Sequence, residues 1–142
     1  MKGIVCKVCG YIALNGSAPE HCPVCGSPQK VFEEKDDAIK DYADPANLTD
    51  AEKKHTPAIT VVKECGLIPG ECQDAHARTG EILHPMTDEH SIMWLDFYID
   101  KNFVARTHLT PACQPAAGVH LKQASGTLSV VSFCNQPGAW LA

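Results

Sequence analysis

Two short motifs constrain this chain more than anything else in it: Cys6-Lys7-Val8-Cys9-Gly10 and Cys22-Pro23-Val24-Cys25-Gly26, CxxCG knuckles with twelve residues between Cys9 and Cys22. Each knuckle curls the backbone so that two thiolates converge, and the glycine after the second cysteine lets amide hydrogens approach sulfur. Two knuckles together complete a tetrahedral cage of four sulfurs, which suits zinc or a single iron. The segment that carries them, residues 1–35, has only short β-prone stretches, Gly3 to Val5 and Tyr11 to Ala13. Those are too few to bury a core, so the segment is expected to fold around its metal.

The chain has 142 residues, enough for this small module and a second domain of about 90 residues. Eight cysteines are many for such a length. The N-terminus MKGIVCKVCG has no signal-peptide core, and no apolar run is long enough to span a membrane. A cytoplasmic protein that does not enter the membrane is therefore expected, with its cysteines reduced and available as ligands. The net charge of −5, with 12 scattered Lys and Arg, argues against nucleic acid as a partner. An anionic substrate would have to be drawn by local positive charge.

Residues 36–54 read as a linker with short helices. The run Glu33 to Tyr42 is charged and helix-compatible, Asp44-Pro45 should end it, and Thr49 followed by Glu52 reads as a capping box opening a helical turn before His55. From residue 55 to 142 the character is β. The runs AITVV, EILHPM, SIMWLDFYI, FVARTHL and TLSVVSF are separated by Gly, Pro, Asn and Asp. The fold class expected is mainly β: a metal-knuckle domain followed by an immunoglobulin-like antiparallel β-sandwich. Partial alternation in Ser91 to Ile99 suggests a strand covered on both faces.

The residues CKVCGY, CPVCG and Phe32 resemble the rubredoxin-like module of rubrerythrins. That resemblance implies iron at Cys6, Cys9, Cys22 and Cys25, serving as a one-electron relay; a zinc ribbon is the alternative. Further along, KKHTP around His55, LHPMTDEHSIMW around His84 and His90, and SFCNQPGAW around Cys134 resemble the catalytic domain of desulfoferrodoxin and neelaredoxin, the superoxide reductases. The resemblance implies a second mononuclear iron with His55, His84 and His90 as equatorial ligands and Cys134 as the axial thiolate. An anionic thiolate pushes electron density toward whatever binds opposite it. The implied activity is one-electron reduction of superoxide to hydrogen peroxide, with a redox partner protein supplying electrons and the chain forming a homodimer. Lys54 matches the family's lysine, whose ammonium could attract the anion. The family's preceding glutamate is replaced by Lys53, with Glu52 one place further away.

One departure stands out. In the family a further histidine ligand follows the axial cysteine, and here Cys134-Asn135-Gln136 is followed by Pro137. His76, His108 and His120 are candidate substitutes, although a packing or surface role is the default for each. Without a substitute the iron would have an extra open position. That allows two alternative readings, a divergent non-haem iron enzyme acting on another substrate or small oxidant, and a non-catalytic iron or redox sensor. Cys65, Cys72 and Cys113 match neither motif. Cys65 and Cys72 flank the turn-like GLIPGE, where a redox pair or extra metal site is conceivable and idle thiols are the default. Residues 65–80 read as an insertion that could form a lid or substrate loop.

Overall fold

In the computed structural model, which describes residues 1–63, 65–70, 72–122 and 125–142, nine strands and one α-helix are present among the described residues. β1 (Gly3–Cys6) and β2 (Phe32–Lys35) form an antiparallel ribbon beside the knuckles. α1 (Asp50–His55) follows, and then β3 (Pro57–Val62), β4 (Gln73–Thr79), β5 (Ile92–Ile99), β6 (Asn102–His108), β7 (Ala116–Leu121), β8 (Leu128–Cys134) and β9 (Gly138–Leu141). The last seven strands make two antiparallel sheets ordered β3-β4-β7 and β6-β5-β8-β9. This is the expected mainly β class. Among the described residues, no helix is long and apolar enough to cross a membrane.

Between the sheets, Ala75 and Ala77 of β4 meet Ile92, Leu95 and Phe97 of β5 and Val130 and Cys134 of β8. The other face of β5 is also covered. Tyr98 and Val131 share a second apolar cluster with Val5, Tyr11 and Ile12 of the knuckle module and Ala139 of β9. Tyr11 stacks on Tyr98 with centroids 6.1 Å apart, and the Tyr98 hydroxyl donates to Ile12 O (2.8 Å). β5 therefore alternates imperfectly because both of its faces are covered over Leu95–Tyr98. The knuckle module, expected to rely on metal alone, gains a second support from this shared core.

Three expectations change. No helix forms over Glu33 to Tyr42: β1 takes Phe32–Lys35 as its partner, and Ile39 bridges in parallel to Ala139. Tertiary pairing overrides a weak local propensity there. The Tyr42 hydroxyl also donates to Leu141 O (2.8 Å), a further tie between this segment and β9. EILHPM is not a strand; its backbone bonds close a turn, Gly80 N to Ile82 O (3.2 Å) and His84 N to Thr79 O (2.9 Å). Residues 65–80 are not a lid throughout, because Gln73–Thr79 is the middle strand of its sheet. The capping box holds: Glu52 N donates to Thr49 Oγ1 (3.2 Å) and Thr49 N to Glu52 Oε2 (2.7 Å).

Candidate metal centres

The two knuckles bring Cys6, Cys9, Cys22 and Cys25 together with all four sulfurs within 4.8 Å of one another. Cys6 Sγ lies 3.7 Å from Cys25 Sγ and Cys9 Sγ 3.5 Å from Cys22 Sγ. Gly10 and Gly26 adopt φ of 78° and 77° and donate their amides to Cys6 O (2.9 Å) and Cys22 O (2.8 Å). The glycines are thus wanted for a left-handed turn. Cys6 and Cys22 are buried whereas Cys25 is exposed, so one edge of the cage meets solvent. Hydrogen bonding from Ser27 pulls the Cys25 thiol down to about 6, while burial pushes Cys9 up. A bound cation would stabilise all four as thiolates.

The knuckle docks on the outer face of the four-stranded sheet. Arg106 donates to both carboxylate oxygens of Asp96 (2.6 and 2.7 Å) and, through Nη1, to Cys9 O (2.7 Å). Its guanidinium also lies 4.3 Å from the centre of the Trp94 ring. Burial pushes the Asp96 carboxyl up despite this bidentate partner. Trp94 stacks on Phe133 at 4.2 Å, and a Cβ on Gly10 would come within 2.8 Å of the Trp94 ring. The knuckle therefore touches an aromatic pair that ends one residue before Cys134.

At the second site, α1 ends on His55, the turn after β4 delivers His84, the next loop delivers His90, and β8 ends on Cys134. Their ligand atoms lie within 4.8 Å of one another. The His84 ring centroid is 4.7 Å from that of His55 and 4.6 Å from that of His90. His55 Nδ1–H donates to Ala51 O (2.6 Å) and His84 Nδ1–H to Pro85 O (2.6 Å). A carbonyl only accepts, so these contacts set the tautomer and leave Nε2 as a lone pair. Nε2 of His55, His84 and His90 are all buried without a hydrogen-bond partner. Three partnerless ring nitrogens beside a buried sulfur suit a metal cation, and the donor set of imidazole and thiolate fits iron or zinc.

Burial lowers the pKa of His84 to about 4 and lowers that of His55, so both imidazoles are held neutral as ligands must be. Burial raises the Cys134 thiol, and a cation would reverse that preference. The surroundings are fixed by backbone bonds. Ser132 Oγ donates to His55 O (2.7 Å), Ser91 N to Asn135 Oδ1 (3.1 Å), and Asn135 Nδ2 to Glu89 O (3.2 Å). Trp140 stacks on His55 at 4.9 Å. None of this second layer was foreseen from the sequence; Asn135 and Trp140 sit inside the SFCNQPGAW motif, which is the one signal that marked them.

Lys54 is exposed at the end of α1, and its charge disfavours protonation of both His55 and His84. Glu52 is spent on the capping box and on Ala43 N (3.1 Å), away from the site. None of the three candidate substitutes joins the cluster. His108 is exposed on β6 with its ring 6.2 Å from Trp94, and His76 and His120 lie on the outer face of β4 and β7. The inward positions of those strands belong to small apolar residues such as Ala75 and Ala77. Pro137 lines a cleft of about 330 Å³ with Lys7, Gly10 and Trp94, between sandwich and knuckle. Cys113 is exposed, outside every cluster of metal-ligating side chains among the described residues.

The Desulfoferrodoxin family profile matches residues 47–142, and that of the rubrerythrin, rubredoxin-like domain matches residues 5–33. A desulfoferrodoxin homolog of Methanothermobacter thermautotrophicus is 30% identical over 138 residues, covering 95% of this chain and 92% of the relative. A superoxide reductase of Pyrococcus abyssi is 35% identical over 99 residues, covering 62% of this chain and 83% of the relative. The crystal structure of the superoxide reductase from Treponema pallidum shares the fold with a TM-score of 0.60 at 22% identity, covering 94% and 93% of the two chains. With a rubredoxin-like four-cysteine site ahead of a sandwich that carries a three-histidine, one-cysteine site, the chain belongs to the desulfoferrodoxin family.

Proposed function

We propose that this chain reduces superoxide to hydrogen peroxide at an iron held by His55, His84, His90 and Cys134, with iron at Cys6, Cys9, Cys22 and Cys25 as its electron relay. The convergence of three buried, partnerless Nε2 atoms on one buried sulfur carries this reading. The naming of the Pyrococcus abyssi relative agrees with it. Iron bound there supplies a one-electron ferrous–ferric couple. The protein's own groups do the rest. His55 and His84 are kept neutral and aimed by Ala51 O and Pro85 O, and Cys134 supplies the negative charge that favours giving up an electron. Lys54 offers the local cation that an anionic substrate needs at a protein of net charge −5.

Overall, superoxide takes up one electron and two protons from solvent and leaves as hydrogen peroxide. Iron held by Cys6, Cys9, Cys22 and Cys25 would supply the returning electron, and the solvent-facing Cys25 edge suits docking of a redox partner protein. The protein acts as a cytoplasmic homodimer in this reading. In the anaerobically reduced protein, pulse-generated superoxide should bring up the thiolate-to-ferric charge-transfer band of the second iron within milliseconds, and a null response would reject the assignment. His84→Ala should abolish that reaction and remove the second iron while sparing the first.

One observation favours a second reading. The donor set comes to four side chains, and Pro137 faces the knuckle cleft, so the site has one imidazole fewer than its family pattern. Such an iron could chelate a bidentate organic substrate. Spectral shifts on adding small chelating acids, with no response to superoxide, would move the assignment to this class.

A further inference from the structure

A third cluster lies on the outer face of the three-stranded sheet, and the proposed superoxide chemistry makes no use of it. Cys65 and Cys72 lie in the connection between β3 and β4, Asp74 is the second residue of β4, and His120 stands opposite Asp74 in the β4-β7 register. Their ligand atoms all fall within 4.8 Å of one another. Cys65 Sγ is 3.2 Å and Cys72 Sγ 3.6 Å from the same ring nitrogen, His120 Nδ1. Cys72 Sγ is 3.8 Å from Asp74 Oδ1, which is itself 2.7 Å from His120 Nδ1.

We propose that Cys65, Cys72, Asp74 and His120 form a third, independent metal site that takes a zinc-class divalent cation in a tetrahedral S2NO set and clasps the β3–β4 connection to the sheet. Metal–sulfur bonds of about 2.3 Å and metal–nitrogen or –oxygen bonds of about 2.0–2.2 Å give tetrahedral edges of roughly 3.3–3.8 Å. The three edges that join a sulfur to nitrogen or oxygen, 3.2, 3.6 and 3.8 Å, lie within about 0.4 Å of the roughly 3.5–3.6 Å such bonds give. The Asp74–His120 contact is closer, a direct ion-pair distance of 2.7 Å, and would open by roughly half an ångström on binding.

Two further features favour a cation over an idle pair of thiols. Cys65 Sγ accepts the backbone amides of Leu67 and Ile68, both at 3.4 Å. Such amide-to-sulfur bonds stabilise a thiolate before any ion arrives. In addition, both sulfurs converge on one nitrogen and one carboxylate, as ligands around a shared centre do; a disulfide would need neither. The donors are two soft sulfurs, one imidazole and one carboxylate, a set that selects zinc over calcium or magnesium. Because Ala75 and Ala77 point the other way into the core, this site shares no ligand with the two described above.

The full chain with both irons in place, purified anaerobically with a reductant, is titrated with Zn²⁺ against a chromogenic chelator and separately with Co²⁺. One further equivalent should bind. With cobalt it should show tetrahedral ligand-field bands and a thiolate charge-transfer band. The double variant Cys65→Ser, Cys72→Ser should lose that equivalent while keeping both iron chromophores, which report that it is folded. His120→Ala should weaken binding at least tenfold or so. The proposal is overturned if the wild type takes up no third equivalent, if the double variant still binds it, or if the reduced-to-oxidised protein merely loses two hydrogens between Cys65 and Cys72 without holding zinc. Loss of superoxide activity with the third equivalent intact would speak only to the second iron site, so the two readings fail separately.

Discussion

The two centres of the proposed relay are built in opposite ways. The knuckle cage gathers its ligands between Cys6 and Cys25 by two tight turns, whereas the second gathers His55, His84, His90 and Cys134 from a helix end, two loops and a strand end. Closing short loops costs little entropy, so the first cage asks little of the rest of the chain. The second exists only after both sheets have formed and put their edges in place. Yet the two are not isolated, because Arg106, Trp94 and Tyr98 seat the knuckle on the sheet in which β8 ends on Cys134.

The sharpest way to split the centres is Gly80→Ala. A Cβ there would meet Lys53 O at 2.1 Å and Thr56 O at 2.6 Å, backbone atoms that cannot swing aside. The turn that carries His84 would separate from the end of α1 that carries His55. Metal analysis and visible spectra should show the second metal lost and the four-sulfur metal kept; losing both together would mean the knuckle depends on the sandwich far more than its local ligands suggest.

Next in size is Arg106→Ala. It strands the Asp96 carboxylate, only 1% exposed, and should cost about 3–5 kcal/mol in denaturant unfolding. Burial already raises the Asp96 pKa, and removing the guanidinium raises it further. Its ionised form is then the destabilising one, so the deficit should grow as pH rises above the ordinary carboxylate range and shrink as pH falls and the group protonates. A deficit that is flat with pH would place the effect in lost packing on Trp94 instead.

A smaller effect is expected from Gly10→Ala, which combines a left-handed backbone of φ 78° with a 2.8 Å approach to Trp94. About 1–3 kcal/mol of stability should be lost. The four-sulfur chromophore should remain, but re-reduction of the second centre by the first should slow, since the knuckle no longer rests on the Trp94–Phe133 pair. Unchanged transfer would show that the docking seen here is structural alone. Smallest is Lys54→Ala, which should lower the second-order rate with superoxide by about threefold to tenfold at low ionic strength, with the difference fading as salt is added. A salt-independent loss would point to proton delivery rather than attraction.

Much of the fold was legible where residue type alone dictates conformation. The CxxCG pairs, the Thr49 and Glu52 cap, and the β-branched and aromatic runs of β3, β5, β6 and β8 all appear as expected. β4 escapes the pattern because QDAHART carries Asp, His and Arg on its outer face and a glutamine, two alanines and a threonine on its inner one. Its apolar signal is faint even though Ala75 and Ala77 are almost wholly buried. Glu33 to Tyr42 was misread for the converse reason: its helical propensity is weak, and the partners that claim it, β1 and β9, lie far away in sequence.

By itself the sequence determined the chemistry on offer: which sulfurs and imidazoles exist, that four cysteines pair by spacing, and that proline at 137 can offer a metal nothing. Only the tertiary structure decided where the remaining histidines go. His76 and His120 alternate outward on strands whose inward positions are taken by the core, so neither can reach the iron ligands, and His120 meets Cys65, Cys72 and Asp74 instead. Side-chain direction along a strand has a period of two, and which face is buried depends on what packs against it; that partner is a property of the folded chain and is not written in the local run of residues.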